Sequence, residues 1–265
     1  EVIYDYQSSG TTPNTKSYNL TLRLFRDNFT VGGAAMPAIV RLGIFDNDNN
    51  QLFGGYRDVN LNNIITVPKF PAPLCLNNEP PLEYSMGSYN LLIDLPTNVN
   101  GYTIVYQTCC RIDNIDNIGL TPAIGATYTG NIPGSQTLPS GNDNCPRFET
   151  GVSIICQNNK FTLNFSATDS NNDSLVYSLV DAYNGGSIVN AGLNNNPAPP
   201  PYGSVPYSFP FSGLQPLGTS ATINIGTGII SGIAPASGKY IVCVLVKSYR
   251  NGIFLADHRK DFIVT

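Results

Sequence analysis

The sequence predicts an all-β protein made of two tandem antiparallel β-sandwiches that are cross-linked by disulfides. Three observations support this fold class. Apolar and polar residues alternate along many short segments, no segment keeps a sustained 3.6-residue period, and turn-forming residues are abundant, with 25 Gly and 20 Pro among 265 residues. A strand that alternates in this way buries one face, which suits an antiparallel sandwich.

The first half of the chain contains four well-defined alternating segments, separated by turn clusters. The apolar positions of these segments are Tyr18/Leu20/Leu22/Leu24, Ala38/Val40/Leu42/Ile44, Tyr89/Leu91/Ile93/Leu95 and Tyr102/Ile104/Tyr106. Residues such as Arg23 fall on the opposite, polar face. We expect residues 1–149 to form the first domain.

A second series of strands begins near residue 150. Phe161 to Ala167 and Leu175 to Leu179 alternate, whereas Tyr240 to Val246 is apolar on both faces, as a central strand would be. About seven short strands in this half match an immunoglobulin-like or cadherin-like sandwich over residues 150–265. The Asn/Pro-rich segment Asn194 to Pro216 is expected to be a long ordered loop.

Composition disfavours several functional classes. Only 12% of residues are charged, and the net charge of −4 with 14 Lys+Arg leaves no basic surface for nucleic acid. No apolar run is long enough to insert into a membrane. The single histidine, His258, lies in a polar stretch and is expected at the surface, and a Gly-x-Ser-x-Gly motif is absent. We therefore expect a protein that is not an enzyme.

Cysteine usage indicates an oxidising compartment. The number of cysteines is even and no CxxC pair occurs, which favours disulfides over metal or redox use. The six are Cys75, Cys109, Cys110, Cys145, Cys156 and Cys243. A bridge from Cys156 to Cys243 would join the two sheets of the second sandwich.

The adjacent pair in the first half raises a separate question. Cys110 continues the inward face of the preceding strand, and Cys109 points outward. Because neighbouring cysteines rarely bridge each other without strain, each is expected to pair with one of Cys75 and Cys145. The sequence leaves open which cysteine takes which partner.

Segments spread over nearly the whole chain resemble the amino-terminal module of large cell-surface proteins of Bacteroidota. Those proteins are labelled gliding-motility-associated or PKD-domain-containing and leave the cell by type IX secretion. The matching stretches are Leu24 to Asp27, Gly101 to Arg111, Cys145 to Phe148, Ala167 to Tyr177, Gly228 to Gly232, Gly238 to Tyr240 and Tyr249 to Gly252. The chain departs from the family at Asn28, where a cysteine is frequent, and at Asn172, where glycine is usual.

The resemblance implies an extracellular location at the cell surface, reached through an oxidising periplasm. It also implies a non-catalytic module that serves adhesion or the assembly of a surface structure. Its partners would be a cell-surface polysaccharide, a surface protein or other copies of the same chain, and a surface-fibre subunit is an alternative role.

A polar turn in the second half is a candidate calcium site. Asp169, Asn171 and Asp173 place three oxygen-bearing side chains at alternate positions, and Ca²⁺ needs six to eight oxygen ligands. The matching segment of cadherin-like relatives often binds calcium. The alternative is a solvated hairpin turn whose side chains cap their own backbone.

Tyrosines offer a different kind of site. Tyr202 and Tyr207 lie in a Pro-rich loop and could form an aromatic surface for a carbohydrate, since a tyrosine ring presents a large apolar face with a polar tip. A carbohydrate-binding module is therefore an alternative function. The competing interpretation is an ordered loop packed over the edge of a sandwich.

Overall fold

The prediction of an all-β, antiparallel fold is confirmed. A computed structural model describes residues 1–29, 34–68, 75, 83–119, 124–149, 154–186 and 195–265, and all regular elements within them are strands. In chain order these are β1 (Val2–Ser9), β2 (Thr15–Asp27), β3 (Ile39–Asp46), β4 (Gln51–Leu52), β5 (Arg57–Thr66), β6 (Tyr84–Pro96), β7 (Tyr102–Thr108), β8 (Ala126–Ile132), β9 (Arg147–Phe148), β10 (Lys160–Asn164), β11 (Ala167–Thr168), β12 (Ser174–Leu179), β13 (Thr222–Ile223), β14 (Ile229–Ile233), β15 (Tyr240–Arg250) and β16 (Ile253–Val264).

One large sheet runs through both halves of the chain. Its strand order is β1-β2-β6-β5-β3-β7-β8-β16-β15-β12, with β4 paired to β3. Strand β3 changes partner along its length, because Ile39–Leu42 pair with β5 and Gly43–Asp46 pair with β7. The remaining strands form a three-stranded sheet, β10-β14-β13, and a pair, β11-β9.

The predicted alternation of β2, β3 and β7 places side chains in a first hydrophobic core. Leu20, Leu22, Leu42, Ile44 and Ile104 are fully buried there, as the alternation predicts. The first core draws its residues from β1, β2 and β6 and from β3, β7 and β8, so it lies between these two groups of strands.

A second core lies between β12-β15-β16 and the small sheet β10-β14-β13. Strand β15 is buried on both faces, as predicted for Tyr240 to Val246. Val242 and Val244 face this second core, whereas Ile241 and Cys243 face a separate cluster that includes Ile118.

The two halves meet where β16 lies beside β8. His258 pairs with Gly130 at this point, so the sheet continues from the first half into the second. Gly130 allows a close approach, because a Cβ atom there would lie 2.9 Å from the carbonyl oxygen of Val2.

The disulfide pairing corrects the expectation. Cys75 bonds to Cys156, with their Cα atoms 6.3 Å apart. The second bond joins Cys109 to Cys110. Both cysteines follow Thr108, the last residue of β7, so the strand alternation that would separate their side chains no longer applies.

Cys145 and Cys243 are free thiols, and both are buried. The expected bridge from Cys156 to Cys243 is therefore wrong, as is the pairing of Cys145 with one of the adjacent cysteines. The physical reason lies in β15. Cys243 shares the strand face of Ile241, which points away from the second core, so its thiol lies on the wrong side of the sheet.

Candidate ligand-binding cleft

A cleft of about 400 Å³ lies at the junction of the two halves. The first half supplies the end of β2, the segment Ala34–Pro37 and the chain from Tyr106 to Ile112. The second half supplies Phe165 and Lys260–Ile263 of β16. A cavity of this volume is in the range that accepts a small organic ligand.

The walls of the cleft are largely apolar. Tyr106 and Tyr128 stand side by side on β7 and β8, with ring centroids 6.2 Å apart and nearly parallel planes. Phe25 is 37% exposed, and the Cys109–Cys110 disulfide adds a polarisable sulfur surface. Phe25, the half-buried Tyr128 and the disulfide therefore give the cleft an apolar lining.

A buried ion pair fixes the two halves at the cleft. Arg111 donates to both carboxylate oxygens of Asp261 at 3.1 and 2.6 Å, and both side chains are only 7% exposed. Its other donors reach the carbonyl oxygens of Gly125 and Tyr183. Burial alone would lower the pKa of Arg111, but the adjacent Asp261 carboxylate raises it above its ordinary value.

A second polar group, the cleft corner, consists of Glu1, Arg23, His258 and Lys260. The Arg23 guanidinium lies 3.9 Å from the Glu1 carboxylate, and His258 Nε2 lies 3.5 Å from it. Neither carboxylate oxygen of Glu1 and neither ring nitrogen of His258 has a hydrogen-bond partner within the described residues. Burial alone would raise the pKa of the Glu1 carboxyl, but the adjacent His258 and the charge of Lys260 hold it well below its usual range.

The expectation of a surface histidine is wrong. His258 is 1% exposed and packs against the ring of Phe148, with centroids 5.4 Å apart. The local sequence is polar, but Phe148 and Glu1, which are distant in sequence, lie against the His258 ring on the face of the sheet.

A contrasting group, the arginine cluster, consists of Tyr4, Asp143, Asp173 and Arg250. Arg250 donates to both oxygens of Asp173 at 2.8 and 2.6 Å and to Asp143 at 2.8 Å. The Tyr4 hydroxyl donates to the other oxygen of Asp143 at 2.6 Å. This cluster also joins the two halves, and every side chain in it is hydrogen-bonded.

The structure brings the three candidate calcium ligands together on one turn. Asp169 Oδ1 accepts from the backbone N–H groups of Asn171 and Asp173, as in a capped turn. The Asn171 side-chain oxygen accepts from Asn144, and Asp173 is paired with Arg250. An ion would compete with Arg250 for Asp173, and calcium at this turn stays a prediction. No group of three His, Cys, Asp or Glu side chains arranged for a metal occurs among the described residues.

The two candidate tyrosines are engaged within the protein. The Tyr202 hydroxyl donates to the carbonyl oxygen of Ala198, and its ring contacts that of Tyr183. The Tyr207 oxygen accepts from the backbone of Ala182. Both side chains are half-buried and neither lines the cleft, so a carbohydrate surface on this loop stays a prediction.

Sequence reasoning missed the cleft and its polar corner. Two segments that carry the family resemblance, Leu24 to Asp27 and Cys109 to Arg111, nevertheless line it. No pattern along the chain indicated that these segments meet, because Leu24 to Asp27 lie at the end of β2 and Cys109 to Arg111 follow β7, and the two strands are not neighbours in the large sheet.

Comparison of the chain with family models, with curated proteins and with solved structures finds no match. The described residues contain no helix that is long and apolar enough to cross a membrane.

Proposed function

We propose that this chain is a non-catalytic, extracellular binding module of a cell-surface protein, which serves adhesion or surface-structure assembly by holding a ligand in the junction cleft. The observation that carries the proposal is the cleft itself, a volume of about 400 Å³ with walls from both halves. The disulfides and the resemblance to secreted surface proteins of Bacteroidota support an exported location.

The construction of the cleft suits binding. Part of its wall stands on β2, β7, β8 and β16 of the large sheet, and the Arg111–Asp261 pair joins the two sides. A site that is already in place loses little conformational entropy when a ligand enters, which favours affinity. Both oxygens of Asp261 are engaged by Arg111, so this carboxylate serves to hold the wall.

The test blocks the cleft without disturbing its framework. Ala35 is exposed and lines the cleft, so Ala35→Trp places a large ring in the cavity. Leu92→Trp adds the same ring at a position that is 67% exposed and outside the cleft. Beads coated with each chain are passed over immobilised acidic and neutral polysaccharides, a protein layer and a layer of the chain itself.

We expect the unaltered chain and Leu92→Trp to be retained on at least one surface and Ala35→Trp to lose that retention. Equal retention of Ala35→Trp, or no retention of the unaltered chain on any surface, would overturn the proposal.

A further inference from the structure

The side chain of Arg23 is the starting point, because its donors are unused. The side chain is 19% exposed and lines the cleft. Within the described residues its guanidinium makes no hydrogen bond, and its contact with Glu1 is a 3.9 Å approach. Arg111, in the same cleft, uses its guanidinium fully on Asp261 and two carbonyl oxygens.

The geometry of the Arg23 guanidinium determines which ligand group it can bind. It carries five N–H donors in a planar fork that matches the two oxygens of a carboxylate. None of the Arg23 nitrogens is among the buried side-chain atoms that lack a partner in the described part of the chain, so the fork remains open to the cleft and a ligand carboxylate can reach it.

The charge of the cleft also favours a ligand that carries a carboxylate. The chain has a formal net charge of −4, yet basic side chains outnumber acidic ones on the described walls of the cleft. The basic residues are Arg23, Arg26, Arg111, Lys239 and Lys260, and the acidic residues are Glu1, Asp27 and Asp261. A ligand anion therefore complements the local charge.

The remainder of the cleft defines the ligand body. Tyr106, Tyr128 and the Cys109–Cys110 disulfide line the cleft. Tyr106 is only 7% exposed, so the half-buried Tyr128 and the disulfide offer most of this contact surface. Such faces pack against a ring, whether an aromatic ring or the C–H face of a sugar. The volume of about 400 Å³ is sufficient for one such ring with its substituents.

We propose that the cleft binds a ring compound that carries one carboxylate, with the carboxylate on Arg23 and the ring against Tyr106, Tyr128 and the disulfide. This inference rests on the proposed function, since it names the ligand of the same cleft. Two sources share the chemistry: a uronic acid, as in an acidic polysaccharide, and a free aromatic carboxylate.

The experiment titrates the chain with glucuronic acid and with benzoic acid and measures affinity by calorimetry and ligand-observed NMR. The methyl ester of glucuronic acid and benzamide keep each ring without the charge. We expect at least one acid to bind and its neutral counterpart to bind about tenfold more weakly or not at all. Binding of glucuronic acid would identify the ligand as a uronic acid, and binding of benzoic acid would identify it as an aromatic carboxylate.

Variants of Arg23 test whether the ligand carboxylate binds at this side chain. Arg23→Leu should weaken binding of the acid about tenfold or more, and Arg23→Lys should give a smaller loss, because it keeps the charge without the fork. Arg57→Leu removes the same charge from a position outside the cleft and should bind like the unaltered chain. Thermal melting of each variant verifies that it is folded.

Three results would overturn the inference: no binding of either acid, equal binding of acid and neutral counterpart, or an unchanged affinity in Arg23→Leu. Bead retention separates this failure from a failure of the proposed function. If Ala35→Trp still abolishes retention, the cleft binds a ligand of another class.

Discussion

The arginine cluster and the cleft corner both join the two halves of the molecule, yet they differ in how their polar groups are matched. In the arginine cluster, Arg250 and the Tyr4 hydroxyl satisfy Asp143 and Asp173. In the cleft corner, Arg23 has no hydrogen bond within the described residues, and both oxygens of Glu1 lack a partner there. Buried polar groups are normally paired, so an unmatched group calls for an explanation in function. We infer from this difference that the arginine cluster stabilises the junction, and we propose that the cleft corner takes part in binding a ligand.

The largest expected effect separates the two arginines by their contribution to stability. Arg250→Leu leaves Asp143 and Asp173 buried without their cation and should lower the free energy of unfolding by about 3 kcal/mol or more. Arg23→Leu removes no hydrogen bond and only a 3.9 Å approach to the Glu1 carboxylate, so it should cost less than Arg250→Leu. Chemical denaturation of both variants measures the difference. Equal losses of unfolding free energy in the two variants would contradict the different roles assigned to the arginine cluster and the cleft corner.

A second prediction concerns the pH dependence of the arginine cluster. Burial raises the pKa of Asp143 to about 6, against the lowering effects of the Tyr4 hydroxyl and Arg250. The unfolded carboxyl titrates near its ordinary value of about 4, so the folded chain binds more protons between about pH 4 and pH 6. Asp143 therefore makes stability fall as the pH rises through this window, by up to about 3 kcal/mol.

Asp143→Asn tests this slope. The variant cannot ionise at this position, so its loss of stability between about pH 4 and pH 6 should be smaller than that of the unaltered chain. Asp113→Asn, at an exposed position, is the matched control and should keep the slope. Denaturation at a series of pH values gives the comparison, and parallel curves for Asp143→Asn and the unaltered chain would refute the assignment.

The smallest expected effect is that of calcium on the turn beside the arginine cluster. Because Arg250 already neutralises Asp173, we expect millimolar calcium to stabilise the chain by less than about 1 kcal/mol relative to chelator. Thermal melting in both conditions measures the effect. A stabilisation near 2.7 kcal/mol, as for a hundredfold excess over Kd, would show that the ion displaces Arg250.

The strands and the site differ in how far the sequence could predict them. Alternation correctly predicted that Leu20, Leu22, Leu42, Ile44 and Ile104 are buried, because a strand that buries one face repeats every second residue. In β7 the intervening residues are buried as well, so the expectation of a single buried face is wrong for that strand. The same alternation assigned Arg23 to an outward, polar face. That face lines the cleft with residues of the second half, a contact between distant segments that no local pattern contains.

The predictions for the cysteines and for His258 were wrong for the same reason, because both relied on the local sequence alone. The alternation was extended past the end of β7, so Cys109 and Cys110 were placed on opposite faces although the strand ends at Thr108. His258 was judged by its polar neighbours in sequence, whereas its ring is buried against Phe148 and Glu1, which are distant in sequence. Contacts of this kind depend on how the strands are arranged in the fold, which a local pattern does not contain.

NMR of the side chains of Arg23 and Arg250 tests directly whether the cleft corner binds a ligand while the arginine cluster only stabilises the junction. Side-chain Nε–H resonances of ¹⁵N-labelled chain are recorded during a titration with glucuronic acid and, separately, with benzoic acid. Our account predicts that the Arg23 resonance shifts progressively with the acid that binds, while the Arg250 resonance stays fixed on Asp173. A fixed Arg23 resonance under both acids, or equal shifts of Arg23 and Arg250, would contradict it.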